Sequence, residues 1–91
     1  MISQKDKRTI CAAARRYKAK KVILFGSATR SGGKGHDIDL AVEGIKPKDF
    51  VMFYADVLFG VKKYIDLVDL TPQSKFNHFV RQEGVVIFYD V

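Results

Sequence analysis

Cysteine is almost absent: Cys11 stands alone in 91 residues. One thiol excludes an intrachain disulfide framework and a cysteine-built metal cage. Long apolar runs are missing too, and none approaches the length of a membrane span. The N-terminus, MISQKDKR, has no apolar stretch behind its charges, so no signal peptide is expected. A cytoplasmic location is the expectation. Acids are the minority charge, ten against sixteen Lys and Arg, for a net +6. That balance favours an anionic partner: nucleic acid, phosphate or an acidic protein. Low-complexity segments and repeats are lacking as well, and the chain is too short for two domains, so residues 1–91 are read as one.

What is present is a globular composition, 47% apolar and 29% charged. Lys5, Lys7, Arg8, Arg15, Arg16, Lys18, Lys20 and Lys21 crowd the first quarter. They read first as the solvated face of a helix. The alternative is a docking face for RNA or an acidic protein. No aromatics are interleaved as base stacking requires, so nucleic-acid readout lacks its stacking motif.

Ser3, with Asp6 three residues on, marks a helix start, and Ile10, Ala13, Ala14 and Tyr17 form one apolar stripe. The helix should run from about Ser3 to Lys18, with Cys11 packing beside the stripe. Val22–Phe25 is a short buried strand ending at Gly26–Ser27, and Ala28–Gly35 reads as a loop. In HDIDLAV, Asp37, Asp39 and Ala41 alternate with Ile38, Leu40 and Val42, a strand with one apolar and one acidic face. Pro47 opens a helix with Phe50, Phe53, Tyr54, Val57 and Leu58 on one side and Gly60 as its stop. YIDLVDL, Tyr64–Leu70, is a third strand. Thr71–Pro72 should open a last helix with Phe76, Phe79 and Val80 inward and Gly84 at its end, before a strand over Val85–Tyr89. The fold class is α/β in the broad sense (α+β): a small mixed sheet of three or four strands with helices mainly on one face.

Three features carry chemistry together: Gly26–Ser27 after a strand, Asp37-x-Asp39 on the next, and Asp66 on the third. Residues i and i+2 of a strand share a face, so the Asp37 and Asp39 carboxylates stand roughly 7 Å apart along it. Like charges so placed repel unless a cation lies between them. A few hard oxygen ligands suit Mg²⁺, and a third carboxylate on a neighbouring strand would complete a two-metal site for displacement at phosphorus. Gly26 lets the backbone approach a phosphate, and Ser27 offers a hydroxyl beside exposed N–H groups. Asp69 is the rival for the third carboxylate, although alternation puts it on the face opposite Asp66. His36 reads as structural or solvated and His78 as a surface residue. Lys62 and Lys63 read as solvated, with steering of a nucleotide as their alternative, and Tyr17, Tyr54 and Tyr64 as packing residues.

FGS, nine residues, then DIDLAV, followed by YIDLVDL, resembles the minimal nucleotidyltransferases of the DNA polymerase beta superfamily, MNT-type antitoxins often encoded beside a HEPN-domain partner. The likeness spans nearly the whole chain, to the closing EGVVIFYD. It implies a polymerase-beta-like fold, Mg²⁺-dependent use of ATP, and transfer of AMP to a tyrosine of the HEPN-type toxin; a homo- or hetero-oligomer is a separate expectation. At matched positions Gly26 and Ser27 would bind the triphosphate. Asp37 and Asp39 would hold both metals, and Asp66 would share one and orient or deprotonate the attacking hydroxyl. Where relatives often carry Arg after Gly-Ser this chain has Ala28, and Arg30 matches a second basic position that can contact phosphate. Two other functions compete. One is transfer to a small molecule such as an aminoglycoside, for which 91 residues leave no second domain. The other is a binding module that neutralises its partner by occlusion, with little catalysis.

Overall fold

The structure, a computed structural model, describes residues 2–26 and 37–90, Asp37 by its backbone. Seven elements follow in chain order: α1 (Gln4–Arg16), β1 (Lys21–Phe25), β2 (Asp37–Glu43), α2 (Pro47–Val61), β3 (Tyr64–Asp69), α3 (Lys75–Glu83) and β4 (Val85–Tyr89). The four strands form one mixed sheet in the order β3-β2-β1-β4. β1 runs antiparallel to both β2 and β4, while β2 and β3 are parallel with α2 as their crossover.

α1 starts where its cap predicts: the Ser3 hydroxyl accepts from the Asp6 N–H at 3.1 Å. Its stripe of Ile10, Ala13 and Ala14 is buried against the sheet and α2. On the sheet, Val22, Leu24, Ile38, Leu40, Val42 and Ile65 face this layer, joined by Phe53, Val57 and Val61 from α2. The opposite face carries a smaller cluster, in which Val80 of α3 and Leu70 lie over Ile23 and Ala41. Among the described residues two helices thus cover one face and one helix part of the other.

Two helix boundaries depart from expectation. α2 passes through Gly60 and ends at Lys62, whose left-handed backbone (φ 60°) lets its N–H donate to the Leu58 carbonyl at 3.0 Å. Gly60 serves packing instead: a Cβ there would stand 2.5 Å from the Thr9 methyl, so the missing side chain lets α2 approach α1 closely. α3 does not open at Thr71–Pro72. That segment is a turn in which Asp69 Oδ1 accepts from the Thr71 N–H at 2.9 Å, and Asn77 Nδ2 donates to the Asp69 and Pro72 carbonyls. The helix starts three residues later, with Ser74 as its cap accepting from the Asn77 N–H. Because Asn77 turns inward to hold this turn, Phe76 and Phe79 stand 51% and 57% exposed rather than forming the inward face with Val80.

Candidate active site

The face of each acid follows from its neighbours. Ile38, Leu40 and Val42 point into the α1–α2 layer and Ala41 lies beneath α3, so Asp37 and Asp39 occupy positions on the α3 face. Ile65 is buried in the α1–α2 layer, which places its neighbour Asp66 on the α3 face as well. The parallel register then sets Asp39 directly opposite Asp66, and Asp37 opposite Tyr64. Adjacent strands lie about 4.8 Å apart, so Asp39 and Asp66 are as close as two positions of neighbouring strands can be. Asp39 is half-buried and Asp66 exposed.

β1 closes the other side. Phe25 is the cross-strand partner of Asp39, and the chain leaves the sheet at Gly26. Gly26 has a left-handed φ of 73°, and a Cβ built on it would run into the Asp39 carboxylate. A glycine is needed there twice over, for the turn and for the approach of bare backbone to an acid. Phe25 meets Phe76 edge-to-face at 5.9 Å between ring centroids, so the first turn of α3 borders the site.

Of the expected site residues, then, Gly26, Asp39 and Asp66 come together, with the backbone of Asp37 one pair further along. Ser27, Arg30, Ala28, His36 and the Asp37 side chain lie outside the described residues. Asp69 is not part of the group. Its register partner is Val42, at the far end of β3, and its carboxylate holds the turn to α3.

Several single-residue readings change. Lys63 is no solvated bystander: its Nζ donates to the nearly buried Asp6 carboxylate at 2.7 Å, tying the start of β3 to α1. Tyr64, read as a packing residue, is 63% exposed on the strand face that carries Asp66. Two of the other tyrosines do pack while their hydroxyls hydrogen-bond. Tyr54 donates to the Ile65 carbonyl at 2.6 Å and thereby steadies β3 beside Asp66. Tyr17 donates to Asp56 at 2.8 Å. His78 is exposed, as read, and Cys11 is partly buried with its Sγ donating to the Ile87 carbonyl. Strand parity alone could have marked Tyr64, which sits two residues before Asp66. The Phe25–Phe76 contact needed the tertiary structure.

Chemically, the described part of the site offers two juxtaposed carboxylates, hard oxygen donors that fit Mg²⁺. Among the described residues no group of three or more His, Cys, Asp or Glu gathers as a metal centre, the Asp37 side chain lying outside them. A depression of about 620 Å³ along the turn from Leu70 to Arg81 contains none of the acids of the set. It is a fold between a turn and a helix.

Residues 8–90 match the family model described as Polymerase beta, Nucleotidyltransferase. The chain belongs to this family. Its fold and its nucleotidyltransferase domain are those of the family, whose members generally use Mg²⁺. No curated protein matches it in sequence. Solved structures do match in fold. A chain of the MntA-HepT toxin–antitoxin crystal structure superposes with a TM-score of 0.71 at 20% identity, over 97% of this chain and 74% of that one. A chain of a toxin–antitoxin structure with AMP-PNP gives 0.70 at 22% identity, over 92% of this chain and 73% of that one. A chain of the tri-AMPylated Shewanella oneidensis HEPN toxin in complex with MNT antitoxin gives 0.72 at 20% identity, over 98% and 74%. No helix among the described residues is long and apolar enough to cross a membrane.

Proposed function

We propose that this nucleotidyltransferase domain is an antitoxin-type adenylyltransferase that moves AMP from ATP to a tyrosine hydroxyl of a HEPN-type toxin partner in the cytoplasm. The observation that carries the proposal is the pairing of Asp39 with Asp66 across parallel strands, with side-chain-free backbone closed onto Asp39 at Gly26. The fold neighbours support the choice of acceptor: one structure contains a tri-AMPylated HEPN toxin with an MNT antitoxin, and another toxin–antitoxin structure contains AMP-PNP.

In this reading Asp37, Asp39 and Asp66 hold Mg²⁺, which supplies charge neutralisation at the phosphate oxygens when bound. Gly26 and Ser27 seat the triphosphate, with Arg30 as an added cation. The acceptor hydroxyl oxygen attacks the α-phosphorus and its proton passes to the Asp66 carboxylate. The bond from that phosphorus to the α–β bridging oxygen breaks, pyrophosphate leaves, and AMP remains on the acceptor. Asp66 suits the acceptor side because it is exposed, whereas Asp39 is half-buried beside Gly26 on the triphosphate side. The protein contributes position and fixed charge more than covalent chemistry.

The test is incubation of the chain and a co-encoded HEPN-type partner with Mg²⁺ and ATP, followed by intact-mass analysis of both. A gain of one or more AMP units on the partner, lost with Asp37→Asn, is the expected result. A stable complex without covalent change would overturn the proposal and leave neutralisation by occlusion.

A further inference from the structure

Among the described residues β4 is an edge strand, and its own sequence lacks the usual protection of edges. It pairs on one side with β1 and its five residues, VVIFY, contain neither charge nor proline. Natural edges are commonly blunted by charge, proline or cover, because a bare edge templates another strand. Its bulge, at the register shift between Val22 and Ile23, turns both Ile87 and Phe88 toward the α1–α2 layer, while Val86, opposite Ile23, takes the α3 face.

The two sides of this edge differ in chemistry. On the α1 side, Lys7, Cys11 and Arg15 fall at i, i+4 and i+8 on one helix stripe, with Lys18 just beyond. Cys11 Sγ on the Ile87 carbonyl and the Arg15 guanidinium 5.7 Å from the Phe88 ring centre show that this stripe borders β4. Among the described residues none of Lys7, Arg15 and Lys18 forms an ion pair. A groove of about 370 Å³ runs between Arg15, Lys18 and residues Ile87–Asp90. On the α3 side the edge is apolar. Val86 is half exposed, and Phe79 lies on the helix flank turned away from Arg81, the flank on which Phe76 meets β1.

We infer that β4 takes up an extended polypeptide segment of alternating acidic and apolar residues as a fifth strand of the sheet. Backbone hydrogen bonds would give affinity and the two unlike sides would give register. Alternate side chains of the added strand point to opposite faces, so one set meets Lys7, Arg15 and Lys18 and the other meets Val86 and Phe79. A second copy of this chain fits poorly. Antiparallel pairing of two β4 edges puts both α1 helices on the same side of the continued sheet, where their cationic stripes would face each other and repel.

The surface is separate from the acid pair, so it is tested by binding alone and its failure would leave the transfer reaction standing. The full chain is titrated with a fluorescent ten-residue peptide of alternating Val and Glu, a block peptide of the same composition, and a labelled oligouridine. The expected result is binding of the alternating peptide, with new amide-exchange protection within Val85–Tyr89. Binding should weaken about tenfold in Arg15→Glu/Lys18→Glu. The milder Arg15→Gln/Lys18→Gln, with an unchanged melt, should weaken it in the same direction. Equal binding of the block peptide, protection outside β4, preference for oligouridine, or dimerisation of the free chain through β4 would each overturn the inference.

Discussion

Replacing Gly26 by Ala should separate folding from function in a way that replacing Gly44 does not. Both glycines have left-handed backbones, φ 73° and 94°. An L-residue in that region costs about 1–2 kcal/mol, so each Ala variant should melt about 5–15 °C lower. The surroundings differ. A Cβ on Gly44 would press on the Lys20 side-chain stem and backbone at 2.7–2.9 Å, far from the acids, whereas one on Gly26 would displace the Asp39 carboxylate. Misplacing one such group by an ångström costs about 100-fold in rate. Gly26→Ala should therefore lose AMP transfer by that factor or more. It should also lose most of the melting-point rise that Mg²⁺–ATP gives, a linkage of about 2.7 kcal/mol at a hundred times the dissociation constant. Gly44→Ala should keep both at temperatures where it is folded. Melts with and without Mg²⁺–ATP, paired with a transfer assay below the midpoint, measure each term. Equal activity of the two variants would refute the claim that Gly26 is shaped by the Asp39 carboxylate.

Other consequences are checked by simpler means. Asp37→Asn and Asp39→Asn should each lower transfer by about 100-fold or more, and Asp66→Asn should slow transfer more than it weakens triphosphate binding. Asp69→Asn should leave activity largely intact, and an inactive Asp69→Asn beside an active Asp66→Asn would reverse the assignment. Lys63→Met leaves the Asp6 carboxylate, 8% exposed, without its cation and should cost about 2 kcal/mol in a denaturant melt. Arg16→Met, which removes a pair 69% and 31% exposed, should cost less than about 1 kcal/mol. The Tyr17 hydroxyl is held above its ordinary pKa of 10.0, chiefly by its hydrogen bond to Asp56 and then by burial and the Asp56 charge. The folded state keeps that proton longer than the unfolded chain, so its stabilising effect is complete below pH 10.0 and is lost as pH rises through the folded value. A tyrosinate absorbance titration should show one tyrosine ionising late, and Asp56→Asn should return it to the ordinary range.

Local signals were enough wherever one residue type had one use. Ser3 as a cap, the period-two alternation of DIDLAV and the stripe of α1 each depend on contacts within a few residues, and each is found in the structure. The errors arose where a residue had two uses. Gly60 reads as a helix stop, but its role is set by Thr9 on another helix. Thr71–Pro72 carries the chemistry of a helix start, yet Asn77 reaches back to hold it as a turn, and this inverts the buried face of α3. In the site, the shared face of Asp37 and Asp39 was legible from strand parity. The pairing of Asp39 with Asp66 was not, because parallel register depends on how α2 packs across the sheet. Lys63 was misread for a similar reason, since Asp6 lies 57 residues away along the chain.

Isotope position shows most directly which group the protein transfers. The chain, its HEPN-type partner and Mg²⁺ are incubated with ATP labelled either at the α- or at the γ-phosphorus. With α-label, the partner should become radioactive and the signal should vanish in Asp39→Asn. With γ-label, the partner should stay dark and the label should appear in pyrophosphate. Label carried from the γ-phosphorus to the partner would mean phosphoryl rather than nucleotidyl transfer and would contradict adenylylation.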